Sequence, residues 1–261
     1  MSRYQATQDT NQDCSKPLHL GRLYTLDAIR GFTIISMVVF HICYDLQFLQ
    51  GKSLLFFQAP FIDIWRASIS WVFLVIAGVS CSLSRNNLYR ALRYGLLAFA
   101  IWLATTLAAV DAAINFGIIF CMAASTLIAW LIEQTILAKH WHYIQLVACI
   151  MLFLLCLSLP AGFVGIGQIK LMMLPRCLYQ SEWLSWLGFP GPHFVSGDYY
   201  PLLPYGLLYV AGAHLGWQWK KSEYPEWLSR YRCKPLEWIG RHPLQIYILH
   251  QPIILLLCYA L

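Results

Sequence analysis

The sequence predicts an all-α fold, a polytopic transmembrane helix bundle with about seven spans. Its 261 residues are 59% hydrophobic and only 11% charged, whereas soluble domains carry about 25% charged residues. A soluble globule of this size could not cover its surface with so few polar side chains. The apolar runs are continuous over about 20 residues, as a spanning helix requires, and lack the alternation of an outer-membrane β-barrel.

The apolar runs place the helices in one domain, residues 21–261, after a polar cytoplasmic tail at 1–20. Spans are expected at 24–46, 67–84, 90–110, 113–132, 143–160, 200–219 and 238–260. The one long connection, 161–199, contains glycines and prolines that break a helix and tryptophans that suit a membrane interface. We expect this connection to lie along the interface or to fold back over the bundle as a lid.

The basic residues predict the orientation of the chain. Twelve of the 18 Lys and Arg residues fall in the tail and in the loops after the second, fourth and sixth spans, against four in the other loops. Because Lys and Arg are retained on the cytoplasmic side, we expect a cytoplasmic N-terminus and a periplasmic C-terminus in a bacterial inner membrane. The net charge of +6 then reflects topology and contact with membrane lipids, and no nucleic-acid partner is expected.

The cysteines do not predict a metal site. Most of the nine lie in or at the ends of apolar runs, and no CxxC pair occurs. Free cysteine behaves as a small hydrophobic residue, so a packing role is favoured over metal or redox chemistry.

The first span carries an unusual set of polar residues: Asp27, Arg30, His41, Tyr44 and Asp45. At about 100° per residue, its four charged or titratable groups share an arc of about 60° and form one stripe that faces the bundle interior. His41 and Asp45 stand at i, i+4, where the carboxylate can orient the imidazole as a general base. The alternative is a structural cap at the end of the helix.

At the other end of this stripe, Asp27 and Arg30 stand at i, i+3. They either neutralise each other near the cytoplasmic surface, or Arg30 binds a phosphate group from the cytosol by bidentate hydrogen bonds. The sequence leaves both alternatives open.

Two later segments carry further polar candidates. In the last span, His250 and Tyr247 lie inside an apolar run, either as site residues or as a core histidine with its neighbour. Asp198 precedes the sixth span and either caps that helix or contacts a substrate. The small residues around Gly78 in the second span favour close helix packing.

Taken in order, these segments resemble the heparan-α-glucosaminide N-acetyltransferase catalytic-domain family, which has many bacterial membrane members. The matching segments are Leu26-Asp-Ala-Ile-Arg-Gly31 with Met37 and Phe40-His41; Phe73 with Ala77-Gly-Val-Ser80; Asn115-Phe-Gly-Ile-Ile119; Asp198-Tyr-Tyr-Pro-Leu-Leu-Pro204; and Trp238-Ile-Gly-Arg-His242 with Tyr247 and His250-Gln-Pro252. They span roughly residues 20–255. At position 120, where the family usually has His, this chain has Phe120, and residues 46–66 contain no His.

The resemblance implies a transmembrane acyltransferase. Acetyl-CoA would be used from the cytosol as the donor, and a sugar amine or hydroxyl on the far side, in a glycan or another envelope acceptor, would receive the acetyl group. Asp27, Arg30 and Arg241 would hold the CoA, whereas His41 with Asp45 or His250 would deprotonate the acceptor or carry the acyl group. The remaining candidates, Tyr44, Asp198 and Tyr247, would bind the substrate.

Two other classes of function fit the same residues. One is a small proton-coupled transporter or channel in which the intramembrane His, Asp and Arg form the path. The other is a membrane scaffold in which the polar stripe only binds other helices. The sequence does not predict the oligomeric state.

Overall fold

The computed structural model describes residues 22–109, 112–135 and 142–260, which are mostly helical. The α-helices in these ranges are α1 (Tyr24–Tyr44), α2 (Phe61–Val79), α3 (Asn87–Ala108), α4 (Ile118–Glu133), α5 (His142–Cys156), α6 (Leu202–Lys221), α7 (Trp227–Arg230), α8 (Lys234–Arg241) and α9 (Pro243–Ala260). A π-helical turn, Asp45–Leu49, continues α1. The tail at 1–20 lies outside the described residues.

Helix α6 is the centre of the bundle. It packs against α2, α4 and α5, while α3 packs on α4 and α1 crosses α8. Most of its residues are buried, among them Tyr209, which is fully enclosed. Because α6 is surrounded by protein, its side chains do not have to suit lipid, and it can carry polar residues such as His214.

Length and hydropathy identify four described helical segments that could cross a membrane: Tyr24–Leu49, Phe61–Val79, Asn87–Ala108 and His142–Ala161. Ile118–Glu133 and Pro243–Tyr259 are apolar but shorter. The mainly helical membrane class is therefore confirmed. The count of seven spans and the orientation of the termini remain predictions.

The boundaries of the second and the last predicted spans are wrong. The second helix begins at Phe61 instead of 67, because the charged pair Asp63–Arg66 that interrupts the apolar run lies on the helix surface with its ends 3.2 Å apart. The predicted span 238–260 is two helices, since α8 ends at Arg241 and α9 begins at Pro243. The break at His242 has a local cause, because proline disfavours the helical conformation in the residue before it.

The connection 161–199 contains a β-hairpin that the sequence did not predict. Strand β1 (Phe163–Ile166) pairs antiparallel with β2 (Ile169–Met173), and Gly167 in the turn has a positive φ of 59°. Short 3₁₀ turns follow at Arg176–Tyr179 and Glu182–Leu187. As predicted, no continuous helix crosses this segment; its role as a lid is not tested by these contacts.

Glycines allow two close helix crossings. A Cβ on Gly78 of α2 would collide with the carbonyl oxygen of Tyr209 in α6, so the predicted close packing at this position is confirmed. A Cβ on Gly240 of α8 would likewise collide with the carbonyl oxygen of Asp27 in α1, and Gly31 meets α8 in the same way. The second crossing brings α8 against the polar end of α1.

Candidate functional site

A cavity of about 520 Å³ lies at the polar end of α1. Its lining includes Asp27, Arg30 and Arg241, the three residues for which the family resemblance implies donor binding. Arg22 and Arg90 line the same cavity, so its described lining contains four arginines and one carboxylate, Asp27. We call this space the arginine cavity. Its excess of guanidinium groups suits an anion that carries several negative charges.

Arg30 is held by three helices at the wall of this cavity. One terminal nitrogen donates to Asp27 Oδ1 at 2.9 Å and to the carbonyl oxygen of Gly240 at 3.1 Å. The other donates to Ser80 Oγ at 2.9 Å, at the end of α2. The Asp27–Arg30 pair was one of the two alternatives that the sequence left open, and the structure adds that this pair joins α1, α2 and α8.

Arg90 has a different environment on α3. It donates to the carbonyl oxygen of Ala77 at 2.8 Å and to the hydroxyl of Tyr94 at 3.2 Å. Within the described part of the chain, no carboxylate lies within 4 Å of its guanidinium. A partly buried cation without an acidic partner is costly, and an incoming anion would offset that cost.

The sequence reasoning missed Arg22, Arg90 and Ser80 as members of this cavity. It used Arg22 and Arg90 only to orient the chain, and it treated Ser80 as a packing residue. Each lies near the end of a helix on the same predicted side of the membrane as Arg30. This shared position is a signal that could have placed them in one site. Arg241 also lines the cavity, and its terminal nitrogen lies 3.3 Å from a carboxylate oxygen of buried Glu237; its role in donor binding stays a prediction.

A second polar cluster, the histidine pair His41 and His250, joins α1 to α9. The two imidazole rings are 4.8 Å apart between centroids. His250 is buried, and Tyr247 lies beside it with 5.5 Å between the ring centroids. These three predicted residues therefore form one cluster, although they come from opposite ends of the sequence.

The hydrogen bonding of His250 determines its tautomer. Its Nδ1 lies 2.7 Å from the carbonyl oxygen of Tyr247, which can only accept, so Nδ1 carries the proton. The other nitrogen, Nε2, is then an unprotonated acceptor, and it is buried without a hydrogen-bond partner among the described residues. This is the state that a general base or a nucleophile requires.

Asp45 is fully buried in the π-helical turn beyond α1. Its Oδ2 accepts a hydrogen bond of 2.9 Å from Gln251 Nε2, next to His250 in sequence. A π-helical turn displaces its side chains from the regular helical positions and is often found at functional sites. Asp45 thus links the end of α1 to α9, and Gln251 is a contributor that the sequence reasoning did not select.

The two remaining candidates, Tyr44 and Asp198, lie apart from the arginine cavity and the histidine pair. The Tyr44 ring packs on Phe48, with 4.7 Å between centroids. Asp198 Oδ2 accepts from the backbone N–H of Ile118 at 3.2 Å, so it caps α4 and not the sixth span as predicted. This contact belongs to a set between 112–117 and 195–200 that delays the start of α4 from the predicted 113 to Ile118. Burial raises the pKa of Asp198 to about 6.

The two clusters are separated along α1. Arg30 and His41 are eleven residues apart, which corresponds to about 16 Å along a helix axis. The arginine cavity and the histidine pair therefore lie at different depths of the bundle, as the polar stripe predicted. In the described ranges, no group of three or more His, Cys, Asp or Glu residues could hold a metal ion.

Comparison with known proteins gives one family. The family model described as heparan-alpha-glucosaminide N-acetyltransferase, catalytic, matches residues 22–252. No curated protein and no solved structure matches the chain.

Proposed function

The chain belongs to the heparan-alpha-glucosaminide N-acetyltransferase catalytic family, and from this premise we propose that it moves an acetyl group from acetyl-CoA to an acceptor across a membrane. The acceptor is a sugar amine or hydroxyl in an envelope glycan. The observation that carries the proposal is the pairing of an arginine cavity at one depth with a histidine pair at another.

The arginine cavity fits the donor. CoA carries several phosphate charges, and the lining provides four guanidinium groups against one carboxylate. Arg30 is already fixed by Asp27, Ser80 and Gly240, so it loses little side-chain freedom on binding. When bound, acetyl-CoA supplies the activated acetyl thioester, and its long flexible arm is suited to the distance between the cavity and the histidine pair.

The histidine pair fits the acceptor side. His250 Nε2 is free to take a proton from the acceptor amine or hydroxyl, which makes that atom a nucleophile. The Tyr247 carbonyl then stabilises the imidazolium through Nδ1–H. In the alternative route, Nε2 attacks the thioester carbonyl, the C–S bond breaks and CoA leaves as its thiolate. The acceptor then takes the acetyl group from the imidazole, next to His41.

The predicted orientation assigns the arginine cavity and the histidine pair to opposite sides of the membrane. With the N-terminus in the cytoplasm, the arginine cavity opens towards the cytosolic acetyl-CoA and the histidine pair lies nearer the periplasm. The chain would then be a multi-pass protein of a bacterial inner membrane, in a single domain over residues 21–261. Neither the described contacts nor the family match supports the transporter alternative.

The proposal is tested with purified protein, acetyl-CoA labelled in the acetyl group, and a set of amino sugars and glycosides. His250→Gln and His41→Ala are expected to lower transfer at least 100-fold, because they remove the basic nitrogen or its neighbour. Both variants should keep their stabilisation by acetyl-CoA in a thermal-unfolding assay, since the arginine cavity is unchanged.

His193→Ala is the matched control, because His193 is exposed in the connection before α6. Omitting the acceptor separates the two chemical routes. If the label stays on the wild-type protein but not on His250→Gln, the route uses an acyl-histidine. If the wild-type protein retains no label, His250 acts as a general base. Full transfer by both histidine variants would refute the assignment of the histidine pair.

A further inference from the structure

A second cavity, of about 800 Å³, lies between α3 and α4 and does not include the donor-binding residues. We call it the apolar groove. No Asp, Glu, Lys or Arg is among the described residues that line it, and Tyr247 is its one hydroxyl-bearing residue. A space of this size and composition excludes a charged ligand but suits a hydrocarbon chain.

The rim of the groove is exposed on the surface of the helix bundle. Leu96 and Phe99 of α3 are 73% and 60% exposed, and both line the groove. Helix α3 is apolar enough to span a membrane, and few of its residues are buried by the rest of the protein. A chain in the surrounding bilayer can therefore enter from the side, without crossing a polar surface.

The groove exists because small residues line its floor. Gly95 on α3 would place a Cβ in open space, with no atom within 4 Å. Ala98 on the same helix and Ala123 and Ala124 on α4 also line the groove. In contrast to Gly78 and Gly240, where glycine permits two backbones to touch, Gly95 leaves a volume that protein does not fill.

The length of the groove matches one leaflet. Its lining on α3 runs from Ala91 to Trp102, about 16 Å along the helix axis. The hydrocarbon core of a bilayer is about 30 Å thick, so the groove accommodates a tail from one leaflet. Asn115 and Phe116 line the end where the connection before α6 packs on the start of α4.

Tyr247 connects the groove to the histidine pair. It lines the groove, and its ring is in contact with the ring of His250, which lies beside His41. A ligand with its tail in the groove would thus place its polar head close to the residues proposed to act on the acceptor. Tyr247 is therefore the residue that the groove and the histidine pair share.

We propose that the apolar groove binds the hydrocarbon tail of the acceptor, so that the substrate class is a lipid-linked sugar and not a free glycan. This inference rests on the proposed function. The groove acts as the specificity element, since it holds the tail in the membrane while the sugar amine or hydroxyl reaches His250.

The test uses a glycolipid with one long acyl tail that carries a photoactivatable diazirine. A phosphatidylcholine with the same tail is the comparison lipid. In the wild type, irradiation should label α3 and α4 peptides with the glycolipid at least 10-fold more than with phosphatidylcholine. Gly95→Leu fills the groove and should lower the glycolipid labelling at least 10-fold and raise the KM for a lipid-linked acceptor by a similar factor.

Gly95→Ala adds one carbon in open space and should give an intermediate effect, which keeps the test valid if Gly95→Leu does not fold. Leu107→Phe is the matched control, because Leu107 is 75% exposed on the same helix and does not line the groove. Stabilisation by acetyl-CoA shows that each variant retains a folded donor site.

Three results overturn the inference: equal labelling by the two lipids, which indicates an ordinary bilayer lipid; unchanged labelling in folded Gly95→Leu; or an unchanged KM in that variant. A wild type that shows no acetyl-CoA-dependent transfer overturns the proposed function instead. In that case the labelling comparison still decides whether the groove selects a glycolipid, so the two failures are distinguishable.

Discussion

Replacing Arg90 by Gln is the sharpest test of the arginine cavity. The guanidinium has five N–H donors, and in the structure it bonds to the Ala77 carbonyl oxygen, the Tyr94 hydroxyl and, weakly at 3.8 Å, Cys81 Sγ. Two donors therefore remain for an anion, and no carboxylate within 4 Å in the described ranges competes for them.

The expected effect follows from these free donors. A hydrogen bond that involves a charged group contributes about 1.5–3 kcal/mol, which corresponds to a roughly 10- to 150-fold weaker Kd at about 1.4 kcal/mol per factor of ten. The formal charge of the cavity lining also falls by one, so affinity should depend less on salt. Arg90→Lys keeps the charge but loses the planar guanidinium fork, so its Kd should lie between those of the Gln variant and the wild type.

Isothermal titration of purified protein with CoA, at low and at moderate salt, measures these Kd values. Arg93→Gln is the control, since Arg93 is exposed on the same helix and does not line the cavity. If Arg90 only closes the end of α2 through Ala77, the Gln variant will lose thermal stability and bind CoA within twofold of the wild type. That result would refute its assignment to the donor.

Three further predictions concern stability and topology. Gly240→Ala should separate α8 from α1 and lower the free energy of unfolding by about 1–3 kcal/mol. Gly95→Ala should leave the free energy of unfolding unchanged or raise it, and thermal unfolding in detergent measures both effects. For Asp198, burial raises the pKa to about 6, so the folded state binds the proton more tightly than the unfolded chain. Stability should fall as pH rises from about 4 to 6, and Asp198→Asn should flatten that unfolding profile; an unchanged slope would contradict the reasoning. In spheroplasts, an impermeant maleimide should label exposed Cys177 and leave exposed Cys233 unlabelled until the membrane is opened; the reverse pattern would invert the predicted topology.

Features within a single helix could be predicted from the sequence. The polar stripe on α1 depends only on helical periodicity, and the structure places Asp27 with Arg30 at one end and His41 with Asp45 towards the other. The break before Pro243 and the cap by Asp198 were harder. The residue types indicated a helix start at Pro243 and a cap at Asp198, but the helix that Asp198 caps depended on its contact with Ile118, 80 residues away.

The sequence by itself determined the membrane class and the polar character of α1, because hydropathy and periodicity are properties of consecutive residues. It also carried the family, through motif segments that resemble the family in the same order. Only the tertiary structure decided that Arg90 and Arg22 join Arg30 in one cavity, and that His250 lies beside His41 with no hydrogen-bond partner for Nε2 in the described part of the chain. It also decided that Gly95 leaves an open groove while Gly240 closes a helix crossing. Composition alone cannot distinguish these glycines, since the difference lies in which backbone approaches each one.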